Sequence, residues 1–272
     1  MSSCKQLLVG VALAWAGATL TLPAAAQGDW IAGLSDADVV LLGEIHDNPD
    51  HHLRQAEAVT ALSPTAVVFE MLSPEQADAL ADGVLNSASQ MAELLGWEAS
   101  GWPDYAMYHP IFIAAQGAAI YGAALPRAQI RAAVSGDITA IFGEAADKFG
   151  LDQSLNAAEQ EAREAMQMSA HCDALPEDML PGMVAAQRLR DAHLSRVTLQ
   201  ALVETGGPVA VITGNGHARK DWGMPVYLAA AASDVTVRAL GQFEDVPSPD
   251  APFDVTLTSS AAERPDPCLA FR

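Results

Sequence analysis

The stretch LLGEIHDNPDHH, residues 41–52, opens as an apolar strand and closes on a burst of polar side chains. Glu44, His46, Asp47, Asp50, His51 and His52 fall within nine positions, so three of the seven histidines gather at one strand end. With the preceding residues, DVVLLG (38–43) reads as a buried strand, and Asp47 or Asn48 can cap a helix that takes Pro49 near its first position and runs to about Leu62. A strand followed directly by a capped helix is the start of an α/β unit.

The rest of the mature chain repeats that alternation. TAVVFEM (65–71) is a second strand, followed by Ser73-Pro74 opening another helix; AAIYGAAL (118–125) is a third candidate strand, although its alanines also suit a helix. PVAVIT (208–213) and DVTVRAL (234–240) are further strands, and FDVTLT (253–258) suits a sheet edge. Between about residues 130 and 204 there is helical patterning and almost no strand signal. The expected fold is therefore α/β: a mainly parallel sheet flanked by helices, with an inserted helical subdomain at about 130–204, in a single domain over 27–272. The tail after Phe243 is rich in Pro, Asp and Ser and reads as loosely packed over about 244–272.

In an open parallel sheet, ligands bind beyond the carboxyl ends of the strands. The first strand ends in Gly43-Glu44-Ile45-His46, the second in Glu70, and PVAVIT in Gly214-Asn215-Gly216-His217. Glu44, His46, Glu70 and His217 are thus expected in one pocket, where they could hold a divalent metal such as Mn, Fe, Co or Zn, or activate water directly. The dipole of the helix opened by Asn48 and Pro49 is expected to lower the pKa of His51 and His52, although both read by default as solvated helix residues. The segment GWEASGWPDYAMYHP (96–110) reads as core for Trp97 and Trp102, while Tyr105, Tyr108 and His109 offer an apolar wall with polar tips. Met166, Met168, Met179 and Met183 flank His171-Cys172; Gln187, Arg190 and Asp191 share a helix face that would ordinarily be a surface stripe.

Composition narrows the partners. Asp and Glu outnumber Lys and Arg by 34 to 14, for a formal charge of −20, which repels nucleic acid and anionic membrane surfaces. Residues 1–26 read as a signal peptide: Lys5, the apolar run LLVGVALAWAGATLTL, and an Ala-x-Ala site that places cleavage after Ala26. A soluble periplasmic protein without a stable membrane anchor is expected. In that oxidising compartment Cys172 and Cys268 can pair, but nothing in the sequence brings them within bridging distance.

In order and spacing, the segments LLGEIHDNPDHH, VVFEML, GWPDYAMYHPI, LPRAQIR, SAHCDALPEDML, AAQRLRDAHL and ITGNGHARKDWGMPVYL resemble the ChaN family of haem-binding proteins, over about Val39 to Leu228. That family is similar in turn to the Tiki metalloproteases, the TraB proteins and the erythromycin esterases, whose paired G-x-x-H motifs and acidic residues match Gly43–His46, Glu44, Glu70 and Gly214–His217. The resemblance implies haem binding linked to iron or haem uptake, with haem held across a homodimer by a tyrosine. Tyr108 is the matching candidate and His171 the alternative ligand, with Arg127, Arg190 and Arg219 as partners for the propionates. It equally admits a metal-dependent hydrolase built on Glu44, His46, Glu70 and His217. Two departures stand out: GAALPR carries alanines where many relatives have an asparagine, and there is no lipoprotein cysteine signal.

Overall fold

The computed structural model describes residues 29–80, 83, 86–266, 268 and 269; the expected signal peptide and its cleavage site lie outside them. Strands β1 (Val39–Glu44), β2 (Ala66–Phe69), β3 (Ala119–Gly122), β4 (Val209–Gly214), β5 (Val237–Phe243) and β6 (Val255–Thr258) form one sheet in the order β3-β2-β4-β1-β5-β6. Every adjacent pair is parallel, so each connection must cross over the sheet, and helices occupy most of the crossovers. They are α1 (Asp29–Ala32), α2 (Pro49–Leu62), α3 (Pro74–Asp78), α4 (Ala88–Leu94), α5 (Tyr105–Ala114), α6 (Arg127–Ser135), α7 (Ile138–Phe142), α8 (Ala157–Ala170), α9 (Leu180–Thr205), α10 (Asn215–Ala218) and α11 (Met224–Ala231). Among the described residues none of these is long and apolar enough to cross a membrane.

Side-chain alternation along the strands divides the core in two. Val40, Leu42, Val67, Phe69, Ala210, Ile212 and Leu240 face α2, α4 and α5, where Phe69 stacks on Phe112 with ring centroids 4.4 Å apart. The intervening residues Val39, Leu41, Ala66, Val68, Val209, Val211 and Ala239 face Leu194 and Ala201 of α9 and Leu228 of α11. Both faces are covered, and β1, β2 and β4 are buried along their whole length. That is why they read as unbroken apolar runs rather than alternating ones.

The helical stretch between β3 and β4 has a core of its own, built from Ile138, Phe142, Phe149, Leu151, Leu189 and Tyr227. Its longest helix, α9, is shared: one side closes that core and the other lies on the sheet. The N-terminus of α2 follows the sequence, with Asn48 as cap accepting from the Asp50 amide. Strand β3 is shorter than its apolar run, and β5 begins later than expected, at Val237.

The tail after Phe243, expected to be loosely packed over about 244–272, is tied to the body at several points. Strand β6 extends the sheet, Arg264 bridges Asp47 (2.6 Å) and Glu244 (2.7 Å), and Asn48 donates to Glu244 and to the Ser260 carbonyl. The guanidinium of Arg264 holds the Glu244 carboxyl down at about 2. Cys172 and Cys268 form a disulfide with Cα atoms 5.5 Å apart, across 96 residues of sequence. Pro, Asp and Ser signal irregular backbone, and here that backbone is anchored by ion pairs, amide bonds and a covalent bridge instead of apolar burial.

A bridge that closes a loop of this length acts largely by restricting the unfolded chain. Replacing Cys172 and Cys268 together by Ser should lower the unfolding free energy by about 2–4 kcal/mol in urea titrations under oxidising conditions. Equal midpoints for wild type and variant would show that the bridge contributes nothing.

Candidate functional site

Register places the chemistry. Glu44 pairs with Gly214 across β1 and β4, and the amide just beyond β2, that of Glu70, donates to the Ile212 carbonyl at 3.1 Å. Three adjacent strands therefore end level with one another and deliver Glu44, Glu70 and the Gly214–His217 turn to the same edge. Strand alternation then decides what each carboxylate meets: Glu44 follows Val40 and Leu42 toward α2 and α5, while Glu70, one residue past Phe69, turns toward α9.

On the α2 and α5 side, Glu44 is buried and collects three groups. His46 Nδ1 donates to Oε1 at 2.7 Å, the Tyr108 hydroxyl donates to the same oxygen at 3.0 Å, and His52 Nδ1 lies 3.3 Å from Oε2. His52 also donates from Nε2 to the His46 carbonyl at 2.9 Å. Burial alone would raise the Glu44 pKa, but the hydrogen bonds and charges of His46 and His52 outweigh it and keep the group ionised. For His46 burial opposes protonation, and the Glu44 hydrogen bond with the Glu70 charge prevails, raising its pKa.

On the α9 side, Glu70 accepts from Arg190 (2.6 Å), Thr213 Oγ1 (2.7 Å) and the Gly214 amide (2.9 Å), and lies 3.4 Å from His217 Nε2. His217 Nδ1 reaches Asp191 Oδ1 at 2.6 Å, and the Gln187 side-chain amide lies 3.1 Å from Nδ1. Burial disfavours charge on all of these groups. For Glu70, His217 and Arg190 overcome it and hold the carboxyl well below the ordinary range. For His217, the carboxylates of Glu70 and Asp191 overcome it and push the imidazole up to about 9. Asp191 is instead raised, its burial outweighing the attraction of His217. The imidazole of His217 thus lies between two carboxylates, 2.6 Å from Asp191 and 3.4 Å from Glu70.

Glycine is required at two points of this edge. A Cβ at Gly43 would stand 2.5 Å from Asn215 Oδ1 and 2.6 Å from the Leu240 carbonyl, and one at Gly214 would stand 2.9 Å from His46 Nε2. The two strand ends close together only because both positions lack side chains.

Glu44, His46, Glu70 and His217 thus converge at one sheet edge. Among the described residues, no group of three or more His, Cys, Asp and Glu side chains is placed to hold a metal ion. Arg190, Thr213 and a backbone amide already surround Glu70, and a guanidinium stands where a cation would bind. The expected divalent metal has no vacant donor set here.

Beside Glu70 opens a cavity of about 520 Å³, lined by Met71, Trp102, Ala123, Leu125, Ile130 and Leu194 with Arg127 and Arg190. Arg127 donates to the Ser100 carbonyl at 2.6 Å and forms no ion pair among the described residues. Trp102, expected in the core, forms the cavity wall and meets the His46 ring edge-on at 4.8 Å. Tyr108, the expected ligand, is fully buried, its ring 5.0 Å from Trp97 and its hydroxyl on Glu44. Burial, with the Glu44 charge, drives its pKa far above that of a free phenol. His171 ends α8 beside the disulfide, with Nδ1 on the Gln167 carbonyl, outside this cavity. Arg219 pairs with Asp221 over the Trp222 ring and does not line this cavity.

His51 and His52, expected to be solvated, are fully buried. The pKa of His51 does fall, to about 4, but through burial and the nearby Arg54 charge and not the helix dipole. Gln187, Arg190 and Asp191 belong to the site and not to a surface stripe; their i, i+3, i+4 spacing was the one signal for them.

A family model described as haem-binding uptake, Tiki superfamily, ChaN matches residues 30–228. No curated protein matches the chain by sequence. Among solved structures, ChaN of Campylobacter jejuni, described with cofacial haem binding, superposes with a TM-score of 0.62 at 22% identity, covering 84% of this chain and 89% of that one. A mutant of the erythromycin esterase EreC in its open conformation gives 0.43 at 15% identity, covering 83% and 76%. The type III effector HopBA1 gives 0.46 at 11%, covering 85% and 92%. At these identities the likeness concerns the fold.

Because the folded pKa of His217 lies above its unfolded value of about 6.5, its ion pair stabilises the protein fully below that pH. The stabilisation fades as pH rises through about 9. Urea unfolding from pH 6 upward should show a loss on the order of 3 kcal/mol that is absent in His217→Gln. Identical pH slopes in the two proteins would assign the titration to another group.

Proposed function

The chain belongs to the haem-binding uptake family of ChaN, within the Tiki superfamily, and from that premise we propose that it is an exported haem-binding protein of iron or haem uptake, holding haem in the cavity beside Glu70. One observation carries the reading: the cavity combines an apolar wall with a cation, Arg127, that has no carboxylate partner among the described residues. Haem presents a flat apolar macrocycle and two propionates. Met71, Trp102, Leu125, Ile130 and Leu194 match the first, and Arg127 at the rim matches the second. Arg190 is the weaker candidate for a propionate because its guanidinium is already committed to Glu70. When bound, haem would supply the iron chemistry. The chain's own residues would orient the macrocycle, pair with its carboxylates and exclude water from one face.

Support for export comes from the disulfide, which persists in an oxidising compartment such as the periplasm. The cofacial haems of the Campylobacter jejuni protein suggest that two copies of this chain also close on haem as a homodimer. The hydrolase alternative draws no comparable support, because the carboxylates it needs for a metal are occupied by Arg190, His217, His46 and Tyr108.

Titration of the purified protein with haemin should give a saturable change in the Soret band, and light scattering on the same samples should report whether two chains associate. Arg127→Ala should weaken binding by about tenfold, the loss of one charge-assisted contact, without changing the far-ultraviolet circular dichroism. No saturable binding by wild type would overturn the proposal.

A further inference from the structure

Helix α8 (Ala157–Ala170) is held differently from its neighbours. One of its fourteen residues is buried, and that one is a charge, Arg163. No side chain of α8 joins any of the three apolar cores formed among the described residues, whereas α9, against which it packs, buries ten residues. A helix of this length is marginal in water unless it has an apolar face to bury. In place of that face α8 has polar contacts. The Arg163 guanidinium lies 5.4 Å from the centre of the Trp222 ring, and Arg219 donates to the Met166 sulfur at 3.4 Å. Such contacts are weak where solvent reaches them.

A covalent tether joins them. The turn that ends α8 places Cys172 and Asp173 in the left-handed region, at φ 58° and 55°, a conformation that helix ends usually assign to glycine. Cys172 is bonded to Cys268 of the tail, and the tail is pinned in turn by Arg264 on Asp47 and Glu244 and by the Ser260 carbonyl on Asn48. The end of α8 is therefore fastened, through the tail, to the loop that follows β1. Beneath α8 lies a small cavity to which it contributes Arg163, Met166 and Gln167, and which it shares with Gln187, Asp191 and Gly216. Asp191 and its partner His217, 2.6 Å apart, are sealed from solvent there.

We propose that α8 is a lid over the Asp191–His217 pair and that the Cys172–Cys268 bridge is the latch that keeps it shut. In an oxidising compartment the latch is closed. A dithiol opens it by exchange: the two sulfurs of the dithiol become joined to each other, its two hydrogens pass to Cys172 and Cys268, and its electron pair breaks the S–S bond of the protein. Once released, α8 has no apolar burial to hold it down, and water and small polar ligands reach Asp191 and His217. The contacts that hold α8 include neither Arg127 nor the cavity beside Glu70, so the lid does not depend on haem binding.

Amide hydrogen exchange read by mass spectrometry tests this on the purified protein, oxidised and after treatment with dithiothreitol, and on the double variant Cys172→Ser, Cys268→Ser. Removing the bridge by either route should speed exchange over residues 157–173 at least about tenfold more than in β1 and β4. The amides of 215–219, beneath the lid, should follow the helix and not the strands. Trp222→Leu, which leaves the bridge intact, should loosen α8 by less than reduction does. Unchanged exchange in α8 without the bridge, or acceleration shared equally by helix and strands, overturns the latch, since the bridge would then act on the whole fold or not at all. Loosening by Trp222→Leu as great as that by reduction overturns it as well, because the ring and not the bridge would be holding the helix.

Discussion

Two carboxylates buried at the carboxyl edge of a parallel sheet set the terms for everything around them. Glu44 ends β1 and Glu70 follows β2, the two strands that flank β4, and both carboxylates are almost without solvent. A buried carboxylate is tolerated only if paired and hydrogen-bonded, and removing one partner of such a pair typically costs about 3–5 kcal/mol. The chain answers with donors on both sides: His46 and Tyr108 on Glu44, and Arg190, Thr213 and the Gly214 amide on Glu70, with His217 close by. Much of the polar burst after β1 therefore serves to make these charges possible.

The two clusters do different work. Around Glu70, each strong donor is committed and the imidazole of His217 is sealed in the interior, so this half is a rigid wall. Around Glu44, the His46 ring is partly exposed and meets Trp102 edge-on. Gly214 joins the halves, since the amide it offers to Glu70 and the side chain it lacks next to His46 belong to the same residue. The tail secures the loop from outside, through Arg264 on Asp47 and Ser260 on Asn48. A segment remote in sequence thus fixes the residues that flank His46.

The fold was largely legible because buried parallel strands write continuous apolar runs, as in VVLLG and VAVIT, and because Asn48-Pro49 and Ser73-Pro74 mark helix starts in chemistry as well as in structure. Convergence of Glu44, His46, Glu70 and His217 followed from strand ends alone. The role of Tyr108 did not, since a phenol on a buried carboxylate and a phenol on iron leave the same residue in the same helix. Nor could spacing show that Gln187, Arg190 and Asp191 face inward, because one amphipathic stripe serves a surface or a site equally well. The anchoring of the tail is illegible for a related reason: Arg264, Glu244 and Cys268 find partners roughly twenty to two hundred residues away, and composition carries no record of long-range pairs.

Diffraction from crystals of the haemin complex, recorded at the iron absorption edge, bears most directly on the claim that this sheet edge is a haem site. An iron peak within the cavity beside Glu70, with a propionate on Arg127, is the expected result. An iron peak remote from the cavity would contradict it.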